Sequence, residues 1–268
     1  MANFNYKDFF ADNFQIVNKR SERVPLRLNG VQERFLRECQ AHTHNKNIVL
    51  KARQQGFSAV IDACMAAKML LKPNYRGIIV AHRQEAAAGL LARLKFYISS
   101  YESRNHVIIP KDRNSVRELS NSQLNSSILI GTAINVDVGR SRTYDEAHLS
   151  EYAFYPHGEQ ILNSVVQAVV PGGTVNIETT ANGFNFFKTL WDETNLGVKP
   201  YNPMFFPASE FYSPEFLAEK KRELGRFFSQ EYPETPEEAF LASGETYFDK
   251  SALKYYLDNA KEWKEPNV

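Results

Sequence analysis

Apolar residues recur along this chain in two rhythms, short unbroken runs and longer stretches at helical spacing, and from about residue 30 to residue 180 the two alternate. Val31, Phe35 and Leu36 mark a helix introduced by Leu28-Asn29-Gly30. Ile48-Val49-Leu50 is a run of strand length. Val60, Ile61, Cys64, Met65, Met69 and Leu71 then predict a largely buried helix ending at Pro73-Asn74, followed by a strand at Gly77-Ile78-Ile79-Val80-Ala81. Leu90, Leu94, Tyr97, Ile98 and Tyr101 share one helical face. Shorter strands are expected at Val107-Ile108-Ile109, Val116 to Leu119 and Ile128-Leu129-Ile130, parted by Asn/Ser-rich turns. Ile161, Leu162, Val165, Val166 and Val169 predict a helix closed by Pro171-Gly172-Gly173, and Val175 to Thr179 a further strand. Strands alternating with helices predict an α/β fold whose mainly parallel sheet is covered by helices. From about residue 200 the prolines Pro200, Pro203, Pro207, Pro214, Pro233 and Pro236 punctuate short elements. Ser213-Pro214 and Thr235-Pro236-Glu237-Glu238 are helix starts there, the second a capping box. The chain therefore divides into a core over residues 1–200 and a small appended segment over 201–268 that becomes linker-like at Glu265-Pro266-Asn267-Val268.

The stretch Lys51-Ala52-Arg53-Gln54-Gln55-Gly56-Phe57-Ser58 lies between the run at 48–50 and the helix after it, the setting of a phosphate-binding loop. In the pattern G-x-x-x-x-G-K-[ST], backbone N–H groups wrap the phosphates, the Lys neutralises charge and the Ser/Thr hydroxyl reaches Mg²⁺. Gly56 and Ser58 fit; Phe57 takes the lysine position and Lys51 the first glycine position. Because such a loop curls round the β-phosphate, its first and seventh positions flank the same oxygens, and Lys51 can replace the missing amine. A strand, a turn at Gly56 and a helix with no ligand would give the same pattern.

Two acidic pairs compete for the water-activating role. Asp145-Glu146-Ala147-His148 spells a DEAH box, which must end a buried strand so that its acids emerge beside the loop. The residues before it, Arg140 to Tyr144, are polar or basic. Ser150-Glu151 follows Ala147 and Leu149 and precedes a helix start, the better place for an acid at the carboxyl end of a central strand. Gln32, some twenty residues before the loop, carries an amide able to read an adenine edge, although an exposed helix glutamine looks the same in sequence. Thr180-Ala181-Asn182-Gly183 brings small hydrogen-bonding residues to a strand's carboxyl end, where they can sense a γ-phosphate or simply turn the chain. His42 and His44, in a polar loop without further ligands, read as solvated.

Composition adds bounds. The 268 residues are 43% hydrophobic, enough for one large α/β domain. A net charge of +1 announces no global field for nucleic acid, yet leaves a local patch possible, such as Lys19, Arg20, Arg23 and Arg27. Two cysteines, Cys39 and Cys64, without metal-ligand spacing suit a reducing, cytosolic setting. No apolar run reaches the roughly 20 residues that span a bilayer, and the polar start is no signal peptide.

Four stretches, in order, resemble the ATPase domain of the large terminase subunit, the motor that packages DNA into tailed-phage procapsids. Lys51 to Ser58 is similar to the deviant loop of some members, with the lysine at the loop's start and an aromatic in its old place. Ser150 to Pro156 resembles the second acidic motif with Ser for the first acid, Glu178 to Gly183 the coupling motif, and Gln230 to Phe240 the lid signature. The family also places an Arg ten residues before the first acidic position, and Arg140 stands ten before Ser150. The resemblance implies a RecA-like P-loop NTPase fold of the ASCE type, ATP as substrate and Mg²⁺ as cofactor. It implies that Glu151 activates water, that Lys51 and Arg53 hold phosphates, that Gln32 reads adenine and that Arg140 completes a neighbouring subunit's site. Nucleotide would then be cradled by residues 51–58, with Ala52, Gln54 and Gln55 in the loop, and Thr179, Thr180, Asn182 and Gly183 would couple hydrolysis to motion. Ser58, Ser150 and Glu151 are the expected Mg²⁺ neighbours, with Asp145 and Glu146 as the alternative pair. The implied partners are double-stranded DNA, a portal protein, a small terminase subunit and other copies of the chain in a ring, a pentamer, docked transiently on a procapsid in the host cytoplasm. The family's nuclease, with its clustered acids, matches nothing in these residues. A DEAH-type helicase would need a second RecA-like domain, and a nucleotide-binding ring component without turnover is the non-enzymatic alternative.

Overall fold

A computed structural model describes residues 4–242, apart from Lys19, Thr43, Arg113, Asn114, Val116 and Ser141, together with Tyr255, Tyr256 and Asn259. The expected linker-like end at 265–268 and the strand start at Val116 lie outside the described residues.

The first thirty residues, whose scattered aromatics predicted no element, form a helix, α1 (Tyr6–Asn13), and a small antiparallel hairpin of β1 (Gln15–Val17) and β2 (Arg23–Pro25). Phe10 and Phe14 anchor them: both are buried, and Phe14 stacks on Tyr97 with ring centroids 5.0 Å apart. Next comes α2 (Gly30–Ala41), started by a capping box in which the Asn29 side chain accepts the Gln32 N–H and the Gln32 side chain accepts the Asn29 N–H. Then β3 (Lys46–Lys51), α3 (Phe57–Leu71), β4 (Arg76–Ala81) and α4 (Gln84–Asn105) alternate as the pattern predicted. The antiparallel edge β5 (Glu118–Asn121) and β6 (Ser126–Thr132) follow, then β7 (Tyr144–Ser150), α5 (Gly158–Ala168), β8 (Val169–Thr179), α6 (Phe186–Asn195) and β9 (Asn202–Phe206). The chain continues through α7 (Pro214–Leu224), α8 (Phe228–Glu231) and α9 (Pro236–Ala242).

One 7-stranded sheet runs β5-β6-β4-β7-β8-β3-β9, parallel at every pairing but the first. Period-2 alternation sorts its side chains onto two faces. Val49, Ile79, Ile128 and Met204 meet α3, α4 and the N-terminal segment; Ile48, Leu50, Ile78, Val80, Leu149 and Ile177 meet α5, α6 and α9. This is a RecA-like α/β architecture, with β8 inserted between β3, which runs into the stretch 51–58, and β7, which ends at Ser150.

Three boundaries differ from the sequence reading. The sheet takes in β9, whose buried and half-buried residues alternate, so the appended segment begins after Phe206 rather than at residue 201. The helix expected to reach Val169 stops at Ala168, and Pro171-Gly172-Gly173 belongs to β8, where a register irregularity opposite Tyr144 and Glu146 absorbs the extra residues. Gly173 is needed there, since a Cβ would lie 2.7 Å from the Asp145 carbonyl oxygen. Val107-Ile108-Ile109 is no strand: His106 turns left-handed at the end of α4, Ile108 is 88% exposed, and Glu102 accepts the Ile109 N–H at 2.9 Å.

Candidate active site

In a parallel sheet the carboxyl ends of the strands form the binding edge, and the switch of strand order opens the crevice. At that edge β3 delivers Lys51, β7 delivers Ser150 and Glu151, and β8 delivers Glu178, Thr179 and Thr180. Register brings them level: Ser150 pairs with Glu178, and Glu178 with Val49, two residues before Lys51.

The loop's shape is built from outside it. Asn29 Nδ2 donates to the Gln55 carbonyl (3.2 Å) and Gln32 Nε2 to the Gly56 carbonyl (2.8 Å). The next N–H groups, of Gly56 and Phe57, are trans to those carbonyls across planar peptides and face the opposite side. Gly56 has φ +86°, and a Cβ there would lie 2.6 Å from Gln32 Nε2, so both conformation and space demand glycine. No side chain caps α3 at Gly56, which leaves its first-turn N–H groups open to an anion. Gln32 was read as an adenine reader; here its amide spends one donor and one acceptor on the cap and loop, keeping one of each. Phe57 faces inward, 1% exposed, against Phe35 and Phe206 (centroids 5.6 and 4.6 Å).

The amine stands where the first glycine would be. Lys51 is 5% exposed, with Nζ 3.0 Å from Glu151 Oε1 and 3.2 Å from Glu178 Oε2. Burial alone would lower its pKa, but the two carboxylates more than offset this and hold it above the ordinary lysine value. Glu151 occupies left-handed backbone (φ 54°), uncommon for a residue with a Cβ, and its Oε2 accepts the Thr180 N–H at 3.4 Å.

Behind this pair runs a buried network that the sequence reading missed. Glu178 is fully buried; its Oε1 accepts from Ser58 Oγ and Ser150 Oγ, each at 2.7 Å, and lies 3.4 Å from His148 Nε2. His148 Nδ1 is 3.1 Å from Asp62 Oδ1, and Arg93 reaches Asp62 Oδ2 at 3.0 Å. Burial disfavours the charged imidazole, yet its bonds to Asp62 and Glu178 win and raise its pKa to about 9. Burial likewise works against the Glu178 carboxylate, and Lys51, His148 and Ser150 hold its pKa well below the usual range. Asp62, Glu178 and Glu151 thus alternate with Arg93, His148 and Lys51. Spacing offered one clue: Ser58 and Asp62 are four apart on α3, and His148 and Ser150 two apart on β7, with Ser58, His148 and Ser150 meeting Glu178 and Asp62 meeting His148.

The alternative pair lies at the other end of β7. Glu146 bonds Lys68 Nζ (2.6 Å), Tyr75 OH (2.8 Å) and Asn176 Nδ2 (3.2 Å); Asp145 bonds Lys72 Nζ (2.8 Å) and the Arg76 N–H (2.9 Å). Both acids are engaged at the amino edge of the sheet, level with Gly77 and Thr174, at the opposite end of β7 from Glu151 and the loop.

Other expected residues fall as follows. Arg53 faces the appended segment: its N–H donates to the Glu231 carbonyl (2.9 Å), Nη1 meets Glu231 Oε2 (3.1 Å), and its carbonyl accepts from Tyr212 OH (2.8 Å). Gln55 Nε2 donates to the Pro207 carbonyl at 2.8 Å, and Ala52 packs with Ala208 and Tyr232. The segment after β9 thereby grips the 51–58 stretch. Gln54 adopts φ 58°. Thr179 Oγ1 accepts the Ala153 N–H (3.2 Å) and Asn182 Nδ2 donates to the Ala153 carbonyl (3.2 Å), fastening the 180–183 turn, with Gly183 at φ 66°, to the residues after Glu151. Arg140 is not brought to this cluster; it is exposed, pairs with Asp137 at 2.9 Å, and borders an open cavity of about 750 Å³ beside Gln160, Asn163 and Gln167 of α5. His42 and His44 gather no metal set: among the described residues no cluster of three or more His, Cys, Asp or Glu could hold a metal ion. Ser58, Ser150, Glu151 and Glu178 are all-oxygen donors, which suits Mg²⁺, a cation that takes one or two carboxylates and otherwise water and phosphate. No described helix is long and apolar enough to cross a membrane.

Three comparisons bear on this geometry. No protein-family model matches the sequence, and no curated protein is similar to it. Solved structures share the fold. The ATPase domain of the Thermus phage P74-26 large terminase is 18% identical, with a TM-score of 0.59 over 76% of this chain and 92% of that one. The HK97 bacteriophage large terminase is 16% identical, with a TM-score of 0.66 over 92% of this chain and 57% of that one. A large terminase from a thermophilic bacteriophage, in complex with ADP, is 13% identical, with a TM-score of 0.59 over 78% of this chain and 53% of that one. The chain thus spans little more than half the length of those last two proteins.

Proposed function

We propose that this chain is the ATP-hydrolysing motor domain of a viral DNA-packaging terminase, one that translocates double-stranded DNA into a procapsid. The observation that carries the reading is the Lys51–Glu151 pair at the carboxyl edge, with β8 between their strands. It supplies an amine for the phosphates and a carboxylate for water from the two strands that this fold uses for those tasks. The phosphates of ATP lie against the N–H groups of Gly56, Phe57 and the first turn of α3, and Lys51 neutralises their charge. Arg53 joins Lys51 when the lid releases it from Glu231. Gln32 turns its remaining donor and acceptor to the adenine. Glu151, freed from Lys51 as phosphate takes its place, aligns the attacking water. Ser58, Ser150 and Glu151 would hold Mg²⁺, which would supply positive charge to offset that of the phosphates. Thr179, Thr180, Asn182 and Gly183, tied to the turn after Glu151, carry the change to the rest of the sheet.

Catalysis in such a site is positioning and charge stabilisation, and Arg140, remote from its own site, supplies positive charge to that of the next subunit. The working form is therefore a homo-oligomeric ring, taken as a pentamer, docked on a portal protein with a small terminase subunit, in the host cytoplasm.

Displacement of a triplex-forming strand from duplex DNA tests this reading against its rivals. A duplex translocase displaces the third strand with ATP and leaves the duplex intact. A helicase separates the duplex, and a ring component without turnover does neither.

A further inference from the structure

We infer that Glu178 supplies the carboxylate missing from Ser150, so that the cation-facing acid of this site has moved from β7 to the neighbouring strand β8. The inference rests on the nucleotide-binding reading above and adds a residue to it.

Four observations carry it. First, Ser150 and Glu178 are register partners on adjacent parallel strands, so their side chains leave the sheet on the same face, the face covered by α3. An acid at 178 therefore enters the same space as an acid at 150 would, from one strand over; the roughly 4.8 Å between strands is partly covered by its extra methylene relative to aspartate. Second, Glu178 Oε1 accepts from Ser58 Oγ, the loop hydroxyl that a cation would use, at 2.7 Å, and from Ser150 Oγ at 2.7 Å. Ser150 thus props the carboxylate toward Ser58. Third, Glu178 is 0% exposed, and a buried carboxylate is retained only where charge partners offset its desolvation. Its Oε2 is buried without a hydrogen bond, 3.2 Å from Lys51 Nζ outside hydrogen-bonding geometry. Fourth, the donor set of two hydroxyls and two carboxylates contains only hard oxygens, as Mg²⁺ requires.

A Ser at position 150 is then no defect. The negative charge normally carried by one strand is carried by the next, and the seryl hydroxyl has become its support.

The experiment measures the affinity of a fluorescent ATP analogue for the full chain with and without Mg²⁺, in the wild type, Glu178→Gln, Glu178→Gln/Ser150→Asp and Glu178→Asp proteins, each checked for folding by circular dichroism. Expected is a Mg²⁺-dependent tightening in the wild type that falls at least ~10-fold in Glu178→Gln, about 1.4 kcal/mol. It is expected to return when Ser150→Asp is added, because the charge is restored at its usual place. The Glu178→Asp protein keeps a carboxylate beside Lys51 and His148 but withdraws it by one methylene, and its tightening is expected to fall at least ~3-fold; this arm holds even if Glu178→Gln does not fold. Full tightening in folded Glu178→Gln or Glu178→Asp overturns the inference while nucleotide binding stands. Failure of the wild type to bind nucleotide at all overturns the functional reading and the inference with it.

Discussion

The ammonium of Lys51 and the carboxylate of Glu151 meet at 3.0 Å across β8, which makes the loop's amine the resting partner of the site's half-buried acid. Lys51→Ala is expected to abolish ATP turnover in the assembled protein. It is also expected to lower stability by about 3–5 kcal/mol, the usual cost of breaking a buried ion pair, because Glu178 loses one of its two cations. ATPase assays and chemical denaturation check the two effects separately. Wild-type turnover in Lys51→Ala would end the deviant-loop reading.

Restoring lysine at the position it usually holds is not expected to help. Phe57 fills the core between Phe35 and Phe206, so Phe57→Lys loses a large apolar contact and buries an ammonium among rings. Thermal melting is expected to show a loss of at least about 3 kcal/mol, and Lys51→Ala/Phe57→Lys is expected to remain inactive.

How much of this was legible depended on whether a residue's neighbours are near in sequence. The loop, its helix and the strand before it are contiguous, and Ile48 to Ser58 follows the expected course. The strand end at Ser150-Glu151 was identifiable because it can be read from the residues preceding it. The network around Glu178 was not, since Asp62, His148 and Glu178 lie on three elements and meet only through the strand order, which no local pattern encodes. His148 was read as the last letter of a DEAH box. Its burial between two carboxylates explains why it stands there. The irregular stretch at 107–109 misled for a related reason: three apolar residues suggested a strand, but the left-handed turn at His106 and the Glu102 side chain's bond to the Ile109 N–H tie the stretch to the end of α4.

Glu151→Gln and Glu146→Gln are expected to fail differently. The first preserves charge-free hydrogen bonding to Thr180 while removing the water-orienting carboxylate, so nucleotide binding is retained and hydrolysis stops. The second leaves Lys68 without its buried partner at the opposite edge of the sheet. Its effect is expected in melting temperature, with turnover per folded molecule close to wild type. The reverse ranking, read from turnover corrected for folded fraction, would reinstate the DEAH box.

His148→Phe is expected to destabilise the fold by several kcal/mol, on the order of the 3–5 expected for breaking a buried ion pair, because Asp62 and Glu178 then lose the cation between them. Arg93→Ala is expected to cost less, since Arg93 is about one-third exposed and solvent screens what it leaves behind. Equilibrium denaturation of the two variants decides the order; an equal or larger loss in Arg93→Ala would mean that His148 is not the network's central charge.

Arg140 is expected to act in trans. The side chain is exposed and paired only locally among its described contacts, with Asp137 three residues before it, so nothing ties it to its own subunit's site. Hydrolysis spreads charge over the γ-phosphoryl oxygens, and a guanidinium arriving from a neighbour lowers that barrier by roughly 4 to 7 kcal/mol, or ~10³ to 10⁵ in rate. An isolated monomer lacks that charge, and its turnover is expected to be very slow even with Lys51 and Glu151 intact. The competing account is a solvated basic turn, in which Arg140 serves only its pairing with Asp137; a surface pair of that kind contributes about 1 kcal/mol or less. Mixing separates the two. Subunits carrying Arg140→Ala and subunits carrying Glu151→Gln, each inactive alone, are expected to recover partial ATPase activity when co-assembled, since some interfaces then join an intact arginine to an intact glutamate. Absence of recovery in a verified mixed ring counts against the trans role, and full activity of Arg140→Ala rings alone removes it.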